Sequence, residues 1–271
     1  MTSLQRRLRE QYGPWAVVTG ASDGIGRAFA HSLASAGMSL VLVARREPVL
    51  QALAEELSRE HPIQTRVLAA DLGSPAGLAA VISGTQDLDV GLLIAAAGFG
   101  TGGPFLDADL DNELNMLAVN CHAVTALCHA FGRRFVTRGR GGLVLMSSLV
   151  AFQGVPRAAH YAATKAYVQS LAEGLRLELS PRGVDVVASA PGPVHSGFAA
   201  RAHMTMGFAQ TPTQVAAGTL AALGRRTTVR PGWLAKLLEA SLALLPRWGR
   251  VRVMAAVMAS MTKTPEGQRP Q

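Results

Sequence analysis

The sequence predicts an α/β protein in which one parallel β-sheet carries helices on both faces. Three observations predict it. Short apolar runs of strand length alternate with longer stretches that read as helix, and parallel neighbours need such crossovers. The first strand-length run ends in a Gly-rich turn that opens a helix. Of the 271 residues 49% are hydrophobic but only 5% aromatic, and a core dominated by Ala, Leu, Val and Gly suits close helix-on-sheet packing better than a β-sandwich.

Residues 16–19 form the first apolar run, closed by Gly20, and residues 25–36 read as the helix that follows, ending at Gly37. Residues 39–44 (SLVLVA) read as a second buried strand and 47–60 as the second helix. A third strand at 65–70 runs into Asp71-Leu72, with a helix over 75–82. The fourth strand is 90–95, leading to Gly98. A long helix over 110–137 then gives way to the Gly-rich stretch 139–142. Residues 143–146, 159–179 and 184–189 complete the alternation as strand, helix and strand. No internal repeat or long linker interrupts it, so one domain is expected through about residue 232.

The turn after the first strand reads Thr19-Gly20-Ala21-Ser22-Asp23-Gly24-Ile25-Gly26. Glycines let the backbone approach a ligand closely, and the helix behind them offers unpaired N–H groups and a positive dipole end to a pyrophosphate. At the end of the second strand, where an acid would grip an adenosine ribose, the chain has Arg45 and Arg46. Guanidinium groups suit a 2′-phosphate by charge and bidentate geometry, with Ser22 as a further donor, so NADP(H) is expected over NAD(H). The alternatives are that both arginines cap a surface loop, or that Glu47 turns inward to the ribose.

Tyr161 and Lys165 stand four residues apart in a helical stretch, on one face, where both can meet the same small molecule. A phenol titrates near ~10 in isolation, and a neighbouring cation that stabilises its anion brings it into the range of general acid–base catalysis. The spacing alone also fits an ordinary amphipathic helix.

Taken together, Thr19-Gly20-xxx-Gly24-x-Gly26, Asp71-Leu72, Asn120, Ser148, Tyr161-xxx-Lys165 and Pro191-Gly192 occur in an order and spacing that resembles the short-chain dehydrogenase/reductases of the shorter type, over residues 13–200. The resemblance implies a Rossmann-type doubly wound sheet of seven strands and hydride transfer between a nicotinamide and a carbonyl or alcohol carbon. It implies that Tyr161 is the acid/base, that Lys165 lowers its pKa and holds the nicotinamide ribose, and that Ser148 hydrogen-bonds the substrate oxygen. Asn120 would hold a water joining Lys165 to solvent. Dinucleotide contacts are implied at Gly20, Ser22, Asp23, Gly24, Ile25, Gly26, Arg45, Arg46, Asp71, Leu72, Ala97, Gly98, Tyr161, Lys165, Pro191, Gly192, Val194 and Ser196.

One position departs from the pattern. Where the family has Asn-Asn-Ala-Gly, this chain reads Ala95-Ala96-Ala97-Gly98, which is expected to alter local stability rather than chemistry. Residues 197–210, with Phe198, Met204, Met206 and Phe208, suit a substrate lid or an ordinary packed loop. His160, His195 and His203 lie near these motifs and read as packing or solvent residues.

Net charge is +8, and its placement is informative. From residue 225 onward nine Lys/Arg face only Glu239 and Glu266, a net of +7, which leaves residues 1–224 nearly neutral. Residues 233–271 are therefore expected to form a basic helical extension, hinged at Pro246, that packs on the domain, meets a partner or lies on an anionic membrane surface. No charge-free stretch there approaches the ~20 residues of a membrane span. Nothing interleaves aromatics on a basic groove as nucleic-acid binding would require. Cys121 and Cys128 match no metal spacing and read as reduced thiols of a cytosolic protein, and residues 1–10 lack the apolar core of a secretory signal. The expected protein is an NADP(H)-dependent oxidoreductase acting on a carbonyl or secondary alcohol of a fairly apolar small molecule. It is expected to be cytoplasmic, with peripheral contact to the inner face of a membrane as an option, and by resemblance a homodimer or homotetramer. The rival reading is a non-catalytic dinucleotide-binding regulator or scaffold.

Overall fold

The computed structural model describes residues 2–195, 197, 209–232 and 245–261. Among them seven parallel strands form one sheet: β1 (Trp15–Thr19), β2 (Ser39–Ala44), β3 (Thr65–Ala69), β4 (Val90–Ala95), β5 (Gly141–Met146), β6 (Val184–Ser189) and β7 (Thr228–Val229). Their spatial order is β3-β2-β1-β4-β5-β6-β7. The order reverses between β1 and β4, the topological switch point at which doubly wound sheets bind ligands, outside the carboxyl ends of the strands.

Each strand divides its side chains between two cores, because successive Cβ atoms point to opposite faces. Ala16, Val18, Leu40, Leu42, Leu92 and Ile94 face one side, packing against α1 (Ser3–Tyr12), α2 (Gly24–Ser35) and α3 (Glu47–Glu60). On that side α8 (Pro212–Ala222) adds Val215, Ala216 and Leu220. Val17, Val41, Val43, Leu93, Leu143 and Leu145 face the other side, against α4 (Pro75–Ser83), α6 (Ala123–Arg138) and α7 (Ala159–Leu179). Burial on both faces explains why the central strands read as unbroken apolar runs.

The long helix expected over 110–137 is α5 (Leu110–Leu117) joined to α6 by a π-helical turn, Ala118–His122. Leu110–Arg138 is long and apolar enough to cross a bilayer by composition, yet Leu127, Phe131 and Phe135 are spent on the sheet. β5 begins two residues earlier than the side-chain pattern suggests. A Cβ on Gly141 would overlap the Phe135 ring, and one on Gly142 would lie 2.9 Å from Leu92 Cδ1 and 3.0 Å from Tyr12 Cδ1, so these glycines let helices lie tightly on the sheet rather than marking a loop.

The basic extension is described from residue 245, where α9 (Arg247–Met261) follows Pro246. It packs on the main unit: Met258 is buried with Val155, Ala158 and Ala162, and Met254 lies against the same cluster. Ser196, the segment bearing Phe198, His203, Met204, Met206 and Phe208, and the stretch bearing Trp233, Lys236 and Glu239 lie outside the described residues.

Candidate active site

At the carboxyl ends of β1, β4, β5 and β6 lies one cavity of about 750 Å³. Gly20, Ser22, Asp23, Gly24, Ile25 and Gly26 line it after β1, Arg45 and Arg46 after β2, and Asp71 and Leu72 after β3. Ala97 and Gly98 line it after β4, Ser148 after β5, and Tyr161 and Lys165 on α7. Pro191, Gly192 and Val194 complete the set after β6. Residues scattered over 175 positions of sequence thus converge, because parallel strands deliver every following loop to the same edge.

The Gly-rich turn has the dimensions of a cradle. Gly20 (φ +68°) and Gly24 (φ +52°) occupy left-handed backbone, and a Cβ on Gly20 would lie 2.9 Å from Ala97 Cα. A Cβ on Gly26 would overlap the Gly20 carbonyl, so only glycine allows α2 to start so close to β1. Asp23 caps α2, accepting from Gly24 N at 2.7 Å. Arg46 donates to Ser22 Oγ at 3.2 Å, which ties the guanidinium to the same turn. The Asp71 carboxylate accepts from Gly73 N at 3.0 Å and fixes the turn after β3.

Thr19 does the bracing that Ala95 and Ala96 cannot. Its hydroxyl donates to the Ile94 carbonyl at 3.3 Å and accepts from Ala97 N at 3.0 Å, joining the ends of β1 and β4 beneath the cavity. The sequence names Thr19 as part of the turn but gives no sign of this task.

On the other side stand the candidate chemical groups. Ser148 caps the 3-10 turn Leu149–Phe152, its Oγ accepting from Val150 N at 3.4 Å, and its side chain is also in hydrogen-bond contact with the Tyr161 hydroxyl. Neighbouring Ser147 is buried and donates to the Lys165 carbonyl at 3.3 Å, a structural bond. Lys165 Nζ lies 5.7 Å from the centroid of the Tyr161 ring and donates to the Met146 carbonyl at 2.8 Å. Burial pushes the Lys165 amine down to about 8, against a smaller upward pull from Cys121. Tyr161 goes the opposite way from the expectation that Lys165 depresses it. Burial pushes it up to about 12, and the Ser148 contact offsets only part of that.

Asn120 does not line the cavity. It sits at the π-helical turn, 1% exposed. Its Nδ2 donates to Phe99 O at 2.8 Å and Thr164 Oγ1 at 3.0 Å, and its Oδ1 accepts from Phe99 N at 3.1 Å. A Cβ on Gly98 would lie 2.9 Å from Asn120 Oδ1 and 3.4 Å from Lys165 Nζ, so both groups face the space beside Gly98. His160, next to Tyr161, pairs through Nδ1 with the buried Glu113 carboxylate at 2.7 Å and turns away from the chemistry.

The cavity extends past Tyr161 along a wall the motifs do not announce. Val253, Met254, Val257 and Met258 of α9 line it, with Val150, Phe152 and Gln153, and with Arg230 and Arg250. The one signal in the sequence is the helical spacing of Val253, Met254, Val257 and Met258.

A glycine-cradled helix N-terminus at a switch point, with a tyrosine, a lysine and a serine across the crevice, defines a dinucleotide-dependent oxidoreductase. The short-chain dehydrogenase family model matches residues 14–206. The chain belongs to that family. It is 35% identical over 185 residues to a 7β-hydroxysteroid dehydrogenase of Clostridium sardiniense, covering 68% of this chain and 71% of the relative. A solved structure of a 7β-hydroxysteroid dehydrogenase superposes with a TM-score of 0.85 at 28% identity, covering 91% of this chain and 98% of that one. A short-chain dehydrogenase from Sphingobium yanoikuyae in complex with NADPH superposes with a TM-score of 0.78 at 31% identity, covering 95% and 99%. Family members bind nicotinamide dinucleotides, and the cradle of Gly20, Gly24 and Gly26, open to backbone approach, fits such a ligand.

Proposed function

We propose that this chain is an NADP(H)-dependent oxidoreductase that interconverts a ketone or aldehyde and the corresponding alcohol on a fairly apolar molecule. The observation that carries the proposal is the meeting of Tyr161, Ser148 and Lys165 at the junction between the glycine cradle and an apolar chamber. Arg45 and Arg46 at the end of β2, with Ser22 beside Arg46, support a 2′-phosphate, and the NADPH-bound Sphingobium structure is in keeping with it. Val253, Met254, Val257 and Met258 support an apolar substrate, as does the likeness to hydroxysteroid dehydrogenases.

A nicotinamide dinucleotide in the cradle would supply or accept the hydride at the substrate carbon. Tyr161 gives its proton to the substrate oxygen in reduction and takes it back in oxidation. A phenol near 12 holds that proton at neutral pH, the form reduction consumes. Ser148 donates a hydrogen bond to the same oxygen as negative charge gathers there. Lys165 would hold the nicotinamide ribose, and its charge, retained below about pH 8, favours the tyrosinate that reduction leaves behind. Asn120 fixes the backbone at Phe99 and α7 at Thr164, and so keeps this group in register.

The test is NADPH loss over a carbonyl panel running from short ketones to acyl chains and sterols, repeated with NADH. Turnover of no member would remove the oxidoreductase reading, and a higher kcat/KM with NADH would remove the NADP(H) assignment. Self-association is proposed through the exposed stripe of Leu106, Leu110, Leu114 and Leu117 beside Tyr167, an apolar face that solvent disfavours. For the extension, residues 233–271, peripheral membrane contact by a cytoplasmic protein is proposed through Trp248, which is 64% exposed and stacked on Arg252. Sedimentation with anionic vesicles, with and without residues 233–271, tests it; equal binding would dismiss it.

A further inference from the structure

Tyr161 is the third residue of α7, in the turn where a helix frays most readily. That helix end carries no side-chain cap, with Ala158 at the N-cap position. Arg157, just before it, has φ +66°, the one non-glycine residue among those described in left-handed backbone. Packing from other elements therefore has to hold the turn. On one face Ala158 and Ala162 are buried with Val155 and with Met258 of α9. Residue 160 points to the opposite face, since two steps along a helix rotate a side chain by about 200°. There His160 Nδ1 lies 2.7 Å from the Glu113 carboxylate of α5, and the Phe105 ring stands edge-on to the imidazole with centroids 6.2 Å apart. Glu113 is only 3% exposed. A carboxylate taken out of water is costly unless it is paired, so it stays on His160 rather than swinging away. One turn further along, Thr164 Oγ1 accepts from Asn120 Nδ2 at 3.0 Å and donates to the Tyr161 carbonyl at 2.8 Å. Tyr161 thus lies between two ties from the α5 side, Glu113–His160 before it and Asn120–Thr164 after it.

We infer that Glu113 is a positioning residue for the reaction: through His160 it holds the first turn of α7 and so sets where the Tyr161 hydroxyl stands in the crevice. The inference rests on the proposed oxidoreductase function for the task of that hydroxyl. Neither Glu113 nor His160 is among the residues lining the cavity, so both act through Tyr161 rather than on a ligand. Proton transfer needs the phenol within about 2.6–3.2 Å of the substrate oxygen, and a turn that frays spends less time there. Ser148 and Lys165 are anchored separately, the one in the turn after β5 and the other on the Met146 carbonyl. Loosening residue 160 therefore moves the phenol relative to its partners and leaves the glycine cradle as it was.

Glu113→Ala and Glu113→Gln are compared in the full chain. The alanine removes the partner of His160, whose side chain is 22% exposed and can turn to water, whereas the glutamine amide can still hold the same ring nitrogen. On the carbonyl of the panel that the native protein reduces fastest with NADPH, Glu113→Ala should lower kcat about tenfold with both KM values within about twofold. Glu113→Gln should return kcat to within about twofold of native. Amide hydrogen exchange, read by mass spectrometry, needs no turnover: over residues 158–165 it should quicken about tenfold in Glu113→Ala, with the remainder of α7 unchanged. An unchanged kcat, a loss confined to KM, or a glutamine variant as slow as the alanine variant would overturn the inference. So would unchanged exchange over 158–165, or a rise spread evenly over the chain, which a general loss of stability gives. Local quickening in a chain that reduces no carbonyl would keep the tie between Glu113 and the first turn and remove the oxidoreductase reading, whereas carbonyl reduction indifferent to Glu113 would do the reverse.

Discussion

The Lys165 ammonium donates to the Met146 carbonyl at 2.8 Å and so joins the helix that carries Tyr161 to the last residue of β5. The bond is buried, with Lys165 only 6% exposed. It fixes the cation beside the crevice before any ligand arrives, while burial brings the lysine near the limit of its charged range.

That limit predicts a pH dependence. The Lys165 amine titrates near 8 when folded, below its ordinary 10.5. Between these values the unfolded chain holds a proton that the folded chain has released, so stability rises with pH. From pH 7 to pH 9 the nucleotide-free native protein should gain about 1.4 kcal/mol relative to Lys165→Met. Urea unfolding midpoints of the two proteins at both pH values check it, and parallel curves would refute it.

Tyr161→Phe keeps the ring in place and removes the hydroxyl that meets Ser148. Turnover should fall ~100- to 10,000-fold, the range of a lost general acid. Fluorescence titration should find NADPH affinity within about twofold of the native value, since the loss lies in proton transfer rather than in binding.

Two glycines should respond oppositely to alanine. At Gly26 the new methyl group meets the Gly20 backbone, so Gly26→Ala should cost about 1–3 kcal/mol and weaken NADPH binding with it. At Gly174, in α7 and exposed, a Cβ meets nothing within 4 Å. Gly174→Ala should stabilise by about 0.5–1 kcal/mol. Thermal unfolding of both variants reads the two signs.

Asn120→Ala should remove three buried hydrogen bonds at once, those to Phe99 N, Phe99 O and Thr164 Oγ1. The cost should be about 2–4 kcal/mol, beyond that of one lost hydrogen bond, because three bonds are lost together in a place water reaches poorly. Chemical denaturation measures it; a loss under 1 kcal/mol would show that the surroundings rearrange to satisfy them.

Six of the seven strands were legible because burial on two faces writes them as apolar runs, and the loops that follow them carry the recognisable residues. β7 was not, since Thr228–Val229 is two residues long and leaves no periodic signal. Nor was α1, a polar helix that buries only Leu8 and Tyr12 and is stabilised by a Thr2–Gln5 capping box. The π-helical turn at Ala118–His122 is invisible to any 3.6-residue reading. In the site, the positions were legible but the electrostatics were not. A tyrosine and a lysine four apart do not say how deeply the phenol is buried, and here burial raises it. Arg230 and Arg250 went unread as cavity-lining residues for a related reason: they meet the chamber from just after a two-residue strand and from a terminal helix, 69 and 89 positions past Tyr161.

The last helix supplies much of the chamber's apolar wall, whereas the Gly-rich turn, Arg45, Arg46, Asp71 and Leu72 all precede position 73. Fifteen residues of one helix can therefore be replaced to reshape the chamber while the turn formed by Gly20, Gly24 and Gly26 is left untouched.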